Sequence, residues 1–120
     1  MKLYLAGPMR GYPQFNFPAF HAYAKMLREQ GHTVFSPAEK DIERHGTDIS
    51  ADNATGDESL AAKQHGFNLR VALAEDLEYI CHHADGIAVM PGWEKSKGAT
   101  AEKATADALG LEIIYLGASP

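Results

Sequence analysis

Asp76 and Glu102 are the carboxylates whose sequence surroundings point to chemistry. Asp76 lies between Leu73, Leu77 and Ile80 on the apolar stripe of an expected helix. An unpaired acid there carries a desolvation penalty and needs a partner or a purpose. Glu102 lies one turn beyond Gly98, among Gly98, Ala99, Ala101 and Ala106, small residues that leave an open floor on which a carboxylate can touch a ligand. Two acids entering one site from different helices suit nucleophilic or general acid/base work, as in glycoside chemistry. Plainer readings stand beside these. Asp76 can cap a loop or pair with a lysine, and a glutamate early in a helix is a favourable partner for the dipole, which would also keep it ionised. Tyr4, on the first strand, can hydrogen-bond a carboxylate or simply pack in the core.

Two segments can supply anion contacts near these acids. The turn "GPMRG" carries Gly7 and Gly11, which leave backbone N–H groups accessible, and Arg10, which can meet an anionic oxygen. Glycines at a strand end are equally ordinary turn residues. The stretch "SKGATAE" offers the Ser96 hydroxyl, space at Gly98 and the N–H groups of a helix start. Met9 joins the candidate binding set, as does Trp93, which can stack on a base, close the pocket or pack locally. The six histidines are scattered without metal-ligand spacing, so no metal and no cofactor are expected.

The elements that must position these residues alternate. "KLYLA" reads as a strand, "FNFPAFHAYAKMLREQG" as a helix capped by Asn16, and "HTVFSP" as a second strand. From Glu39 to about Gly66 the pattern fails, giving a polar insertion or lid at about 39–66 with a helical turn near Leu60 to Gln64. "FNLRVALAEDLEYICHH" restores helical spacing, with Leu69, Leu73, Leu77 and Ile80 as its stripe. "GIAVMP" is a strand buried on both faces, a helix covers residues 98–109, and "LEIIYLG" closes as another buried strand. Strands alternating with helices predict an α/β fold, a three-layer, doubly wound parallel sheet of the Rossmann-like or flavodoxin-like kind, forming one domain over 1–120.

Bulk properties narrow the partners. A net charge of −5 gives no electrostatic footprint for a nucleic-acid polymer, while leaving room for a small anionic ligand. The lone Cys81 has no partner thiol in the chain, and no apolar run approaches the roughly 20 residues of a membrane span. A soluble cytoplasmic protein is expected.

The segments "YLAGPMRG", "FNFPAF", "AEDLEYICHHADGIAVMPGWEKSKGATAE" and "ALGLEIIYL" resemble the nucleoside 2-deoxyribosyltransferase-like superfamily, more narrowly its small DUF4406-type proteins and more distantly the deoxynucleoside 5′-monophosphate N-glycosidases. The resemblance spans nearly the whole chain outside 39–66. It implies a glutamate that attacks the anomeric carbon of a 2′-deoxynucleoside or its monophosphate and expels the base, and the matching residue is Glu102. It implies that Asp76 positions the nucleophile or handles the leaving base, and that Tyr4 contacts the nucleophile. By the same resemblance Gly7, Arg10, Gly11, Ser96 and Gly98 bind a 5′-phosphate. Pro8 stands where phosphate-binding relatives often carry serine, which removes a hydroxyl and a backbone donor. The resemblance also implies a homodimer or higher homo-oligomer, with "LGASP" a candidate for completing a neighbour's pocket. The expected activity is N-glycosidase cleavage of a deoxyribonucleoside 5′-monophosphate. Deoxyribosyl transfer, a nucleotide-metabolite binding module and a glycohydrolase acting on a dinucleotide such as NAD are the alternatives.

Overall fold

The computed structural model describes residues 1–45 and 69–117. Among them, a four-stranded sheet in the order β2-β1-β3-β4 runs through the molecule, comprising β1 (Lys2–Ala6), β2 (Thr33–Phe35), β3 (Gly86–Val89) and β4 (Glu112–Tyr115). Every pairing is parallel, with Tyr4 opposite Phe35 on one side and Ile87 on the other. The helices are α1 (Phe17–Glu29), α2 (Pro37–His45), α3 (Leu69–His82) and α4 (Lys97–Ala108). The chain turns one way from β1 to β2 and the other way to β3 and β4. The strand order therefore reverses between β1 and β3, where the carboxyl ends of the strands leave a crevice. This is the expected three-layer, doubly wound sheet of Rossmann-like or flavodoxin-like type.

Period-two alternation builds the two cores. Leu3 and Leu5 pack with Phe17, Phe20 and Leu27 of α1, while Tyr4 and Ala6 pack with Ile80 of α3 and Ala99 and Ala106 of α4. A central parallel strand must be apolar on both faces, and "GIAV" meets that demand, buried at every position. Truncating a core residue such as Phe20 or Leu27 to alanine costs about 2–5 kcal/mol.

Four local expectations are corrected. The final strand "EIIY" is the sheet edge rather than a buried strand: its pattern is exposed at both ends and half-buried between, with Tyr115 63% exposed. The polar stretch beginning at Glu39 opens as helix α2. Pro37 at its first position has the fixed φ a helix needs, and Lys40 N–H bonds Ser36 O across 3.1 Å. The buried line of α3 is Ala72, Asp76 and Ile80, whereas Leu69 is exposed and Leu73 and Leu77 are half-buried. Asn16 does not cap α1 with its side chain: it sits at the N-cap in the left-handed region at φ +61° rather than extended, and its Nδ2 donates to Pro8 O across 3.0 Å. The helical turn expected near Leu60 to Gln64, the rest of the insertion beyond 45 and the terminal residues 118–120 lie outside the described residues.

Candidate functional site

The crevice at the strand-order reversal is a cavity of about 80 Å³. Tyr4 rises into it from β1, Asp76 from α3 and Glu102 from α4, and the turn after β1 closes one side with Gly7, Met9 and Arg10. Ser96 and Gly98 line it at the start of α4. Tyr4 is fully buried, and Asp76 and Glu102 are 8% and 6% exposed.

The Tyr4 hydroxyl donates to Glu102 Oε2 across 2.7 Å. Its ring sits between the two layers, stacked on Phe35 at a centroid distance of 5.5 Å and tilted against Tyr79 at 6.5 Å. The aromatic body thus supplies core packing while the hydroxyl reaches the crevice. Burial, then the charges of Glu102 and Asp76 and the hydrogen bonds to both, push the Tyr4 phenol well above its ordinary value, so it stays a donor.

Glu102 is held differently from the expectation of a dipole-stabilised anion. It is the sixth residue of α4, past the first turn where the helix dipole acts. Burial first, and the Asp76 charge second, raise its carboxyl well above the ordinary glutamate value, while the hydrogen bond from Tyr4 pulls the other way. The negative charge of Asp76 beside it thus works against ionisation of Glu102.

The start of α4 has its own logic. Ser96 is extended at the N-cap, and its Oγ accepts from Ala99 N–H across 3.2 Å, leaving its O–H to donate elsewhere. A Cβ added at Gly98 would meet nothing nearer than Ser96 Oγ at 4.0 Å, so packing does not require glycine there and its absent side chain keeps the cleft open. Gly7 is the opposite case. A Cβ there would lie 2.7 Å from Met90 Sδ and 2.9 Å from Met90 Cβ, so close packing against Met90, just past β3, dictates that glycine.

Of the sequence-chosen residues, Tyr4, Gly7, Met9, Arg10, Asp76, Ser96, Gly98 and Glu102 line the crevice. Gly11, at φ +81°, lines an adjoining cleft instead. Trp93 lines neither: it packs beside Tyr115 at 6.4 Å between ring centroids, with the Lys103 ammonium 5.3 Å above its ring. Asp41 and Phe15 are among the lining residues that sequence reasoning missed. Asp41, 4% exposed, enters from α2, and Phe15 enters from a turn in which Gln14, Phe15 and Asn16 all have positive φ. The signal for Asp41 was present in "SPAEKD", where Pro37 and Asp41 stand one turn apart and both line the crevice. Nothing in the sequence marks the left-handed turn, since non-glycine residues seldom adopt it.

Among the described residues no group of three or more His, Cys, Asp or Glu side chains is arranged to hold a metal ion, and no helix is long and apolar enough to cross a membrane.

Fold and crevice together define a single-domain doubly wound α/β protein with a carboxylate-lined cleft at its switch point. The chain belongs to the DUF4406 family, a domain of unknown function whose model matches residues 1–115. Neither a curated protein nor a solved structure gives a significant match.

Proposed function

We propose that this protein is an N-glycosidase of the nucleoside 2-deoxyribosyltransferase-like kind, cleaving the base–sugar bond of a deoxyribonucleoside 5′-monophosphate with Glu102 as nucleophile. The observation that carries the reading is the hydrogen bond from Tyr4 to Glu102 beside Asp76 in one buried cleft. In the reactive form the pair of acids holds one proton, on Asp76, and Glu102 is ionised under the Tyr4 donor. Glu102 attacks C1′ as the N-glycosidic bond breaks, and the base leaves with the Asp76 proton. The transition state carries oxocarbenium character, so carboxylates placed beside it favour it over the neutral ground state. Water then attacks C1′ of the glycosyl ester, gives its proton to Asp76 and frees Glu102. A second base in place of water makes the same intermediate a deoxyribosyl donor. Arg10, Ser96 and the turn after β1 hold the 5′-phosphate, with Pro8 contributing no N–H.

The same reading makes the protein a cytoplasmic homodimer or larger homo-oligomer acting on a small nucleotide or nucleoside without metal or cofactor. Incubating the purified chain with deoxynucleosides and their 5′-monophosphates, and following free base by chromatography, tests the activity. Release of base supports it, and no release from any of them by folded protein removes it.

One observation favours a second reading, a nucleotide-binding module with little catalysis. Burial raises the Glu102 carboxyl, and a protonated glutamate is no nucleophile. A binder retains its ligand in Glu102→Gln and releases no base in either form.

A further inference from the structure

A second cleft of about 380 Å³ opens beside the first at the turn after β1. Pro8, Arg10, Tyr12, Lys95, Ser96 and Lys97 line it, and Arg10 and Ser96 line both clefts, so the two adjoin. Charge is sharply divided along this path. Asp41, Asp76 and Glu102 line the first cleft alone, Lys95 and Lys97 line the second alone, and Arg10 stands between them, in a chain whose net charge is −5. Three other lysines are matched with acids, Lys25 with Glu29, Lys40 with Glu43 and Lys103 with Asp107. The Lys95 and Lys97 side chains have no ion pair or hydrogen bond among the described residues.

We propose that this cleft is a second anion subsite and that the preferred ligand is a nucleotide carrying a 5′-diphosphate. The proposal rests on the nucleotide reading above. The first phosphate sits at Arg10 and Ser96, and the second lies between Lys95 and Lys97. A monophosphate fills only the first position. Lysine ammoniums are compact point charges on flexible stems, suited to the non-bridging oxygens of a diphosphate without fixed geometry. Pro8 fits the same arrangement. Its missing N–H weakens backbone recognition of a single phosphate and shifts anion binding to side-chain charge. The diphosphate can end freely, as in a nucleoside diphosphate, or bridge to a second nucleoside, as in a dinucleotide.

Titration calorimetry on the intact chain tests this with the deoxynucleoside 5′-mono- and 5′-diphosphates of each base, NAD as the bridged form, and inorganic phosphate and pyrophosphate. The expected result is a diphosphate bound about tenfold or more tightly than the monophosphate of the same base, equivalent to about 1.4 kcal/mol. In the double variant Lys95→Ala/Lys97→Ala, whose thermal unfolding checks its fold, the ratio should fall to about one while monophosphate affinity moves less than about twofold. Equal binding of the two ligands, or a preference that survives the double variant, overturns the proposal. A lysine-dependent gain with NAD assigns the bridged diphosphate, and a gain confined to nucleoside diphosphates assigns the free one. If no nucleotide binds, the nucleotide reading and the proposed ligand class fall together. Lysine-dependent preference for pyrophosphate over phosphate would then keep the anion subsite alone, and its absence would overturn that as well.

Discussion

The Tyr4 hydroxyl and the Glu102 carboxylate meet at 2.7 Å although 98 positions separate them in the chain. Their meeting ties the central strand β1 to the second turn of α4. It also places a neutral donor on a buried acid that burial and Asp76 together disfavour as an anion.

The first consequence concerns stability. A carboxyl raised in the folded state destabilises that state once ionised. The cost is absent below the ordinary glutamate value of 4.5, grows as pH rises towards the folded value and is full above it. Glu102→Gln should therefore raise the melting temperature at neutral and alkaline pH, with the gain shrinking to nothing as pH falls below the ordinary value. Thermal unfolding across pH checks this, and a variant less stable than wild type at high pH would contradict it.

The second concerns the pH profile of base release. Activity should rise with pH along a limb set by the paired acids, above the ordinary glutamate range. Asp76→Asn puts a neutral side chain where the reactive form already holds a protonated acid, so it should leave that limb near its wild-type position while slowing turnover through loss of the leaving-group proton. Tyr4→Phe removes the hydrogen bond that favours the anion. It should move the limb upward and lower neutral-pH activity by roughly 10- to 100-fold. Rate profiles of the two variants check that Tyr4→Phe alone moves the limb.

The third contrasts two glycines. Gly98→Ala places a methyl in the open cleft and improves helix propensity by about 1 kcal/mol, so it should raise the melting temperature and weaken nucleotide binding. Gly7→Ala drives a methyl against Met90 and should lower the melting temperature. Unfolding scans and a binding titration on both variants separate ligand space from packing space.

The fourth tests the brace that carries α2, and with it Asp41. Arg28 of α1 donates from Nη1 and Nη2 to the two Glu39 carboxylate oxygens, each at 2.6 Å, and Nη2 also donates to Val34 O at 2.9 Å. Hydrogen bonding to Arg28 holds the Glu39 carboxyl below its ordinary value. The stabilisation is present above 4.5 and is lost as pH falls through the lower folded value. The pair is partly exposed, with side-chain exposures of 41% and 40%, so solvent screening limits it to about 1 kcal/mol or less. Glu39→Gln should lower the melting temperature slightly at neutral pH and match wild type in acid.

The sequence made the sheet legible wherever burial was two-sided, as in "KLYLA" and "GIAV", because a central parallel strand must be apolar throughout. The same rule misread "EIIY", since an edge strand can carry isoleucines on half-covered faces. Tyr4, Asp76 and Glu102 were legible from chemical incongruity, an acid on an apolar stripe and another above a floor of small residues. Their convergence was expected from the resemblance, and its physical basis is the strand-order reversal between β1 and β3, which residue spacing alone does not specify. Asp41 was hidden by the polar outer face of α2, which masks its period. Of the readings open to Trp93, local packing is the one the structure shows, with its ring beside Tyr115 and the Lys103 ammonium above it.

The central claim is that Glu102 forms a bond to C1′. Its most direct test is mass spectrometry of protein treated with a 2′-fluorinated deoxynucleoside 5′-monophosphate, which slows release of a glycosyl ester more than its formation. Trypsin cuts after Lys97 and Lys103, leaving the peptide "GATAEK" with Glu102 as its single acid side chain. The account predicts that this peptide gains the mass of one fluorinated sugar phosphate, and that Glu102→Gln gains none. Label on another residue, or base release that continues in Glu102→Gln, would contradict it.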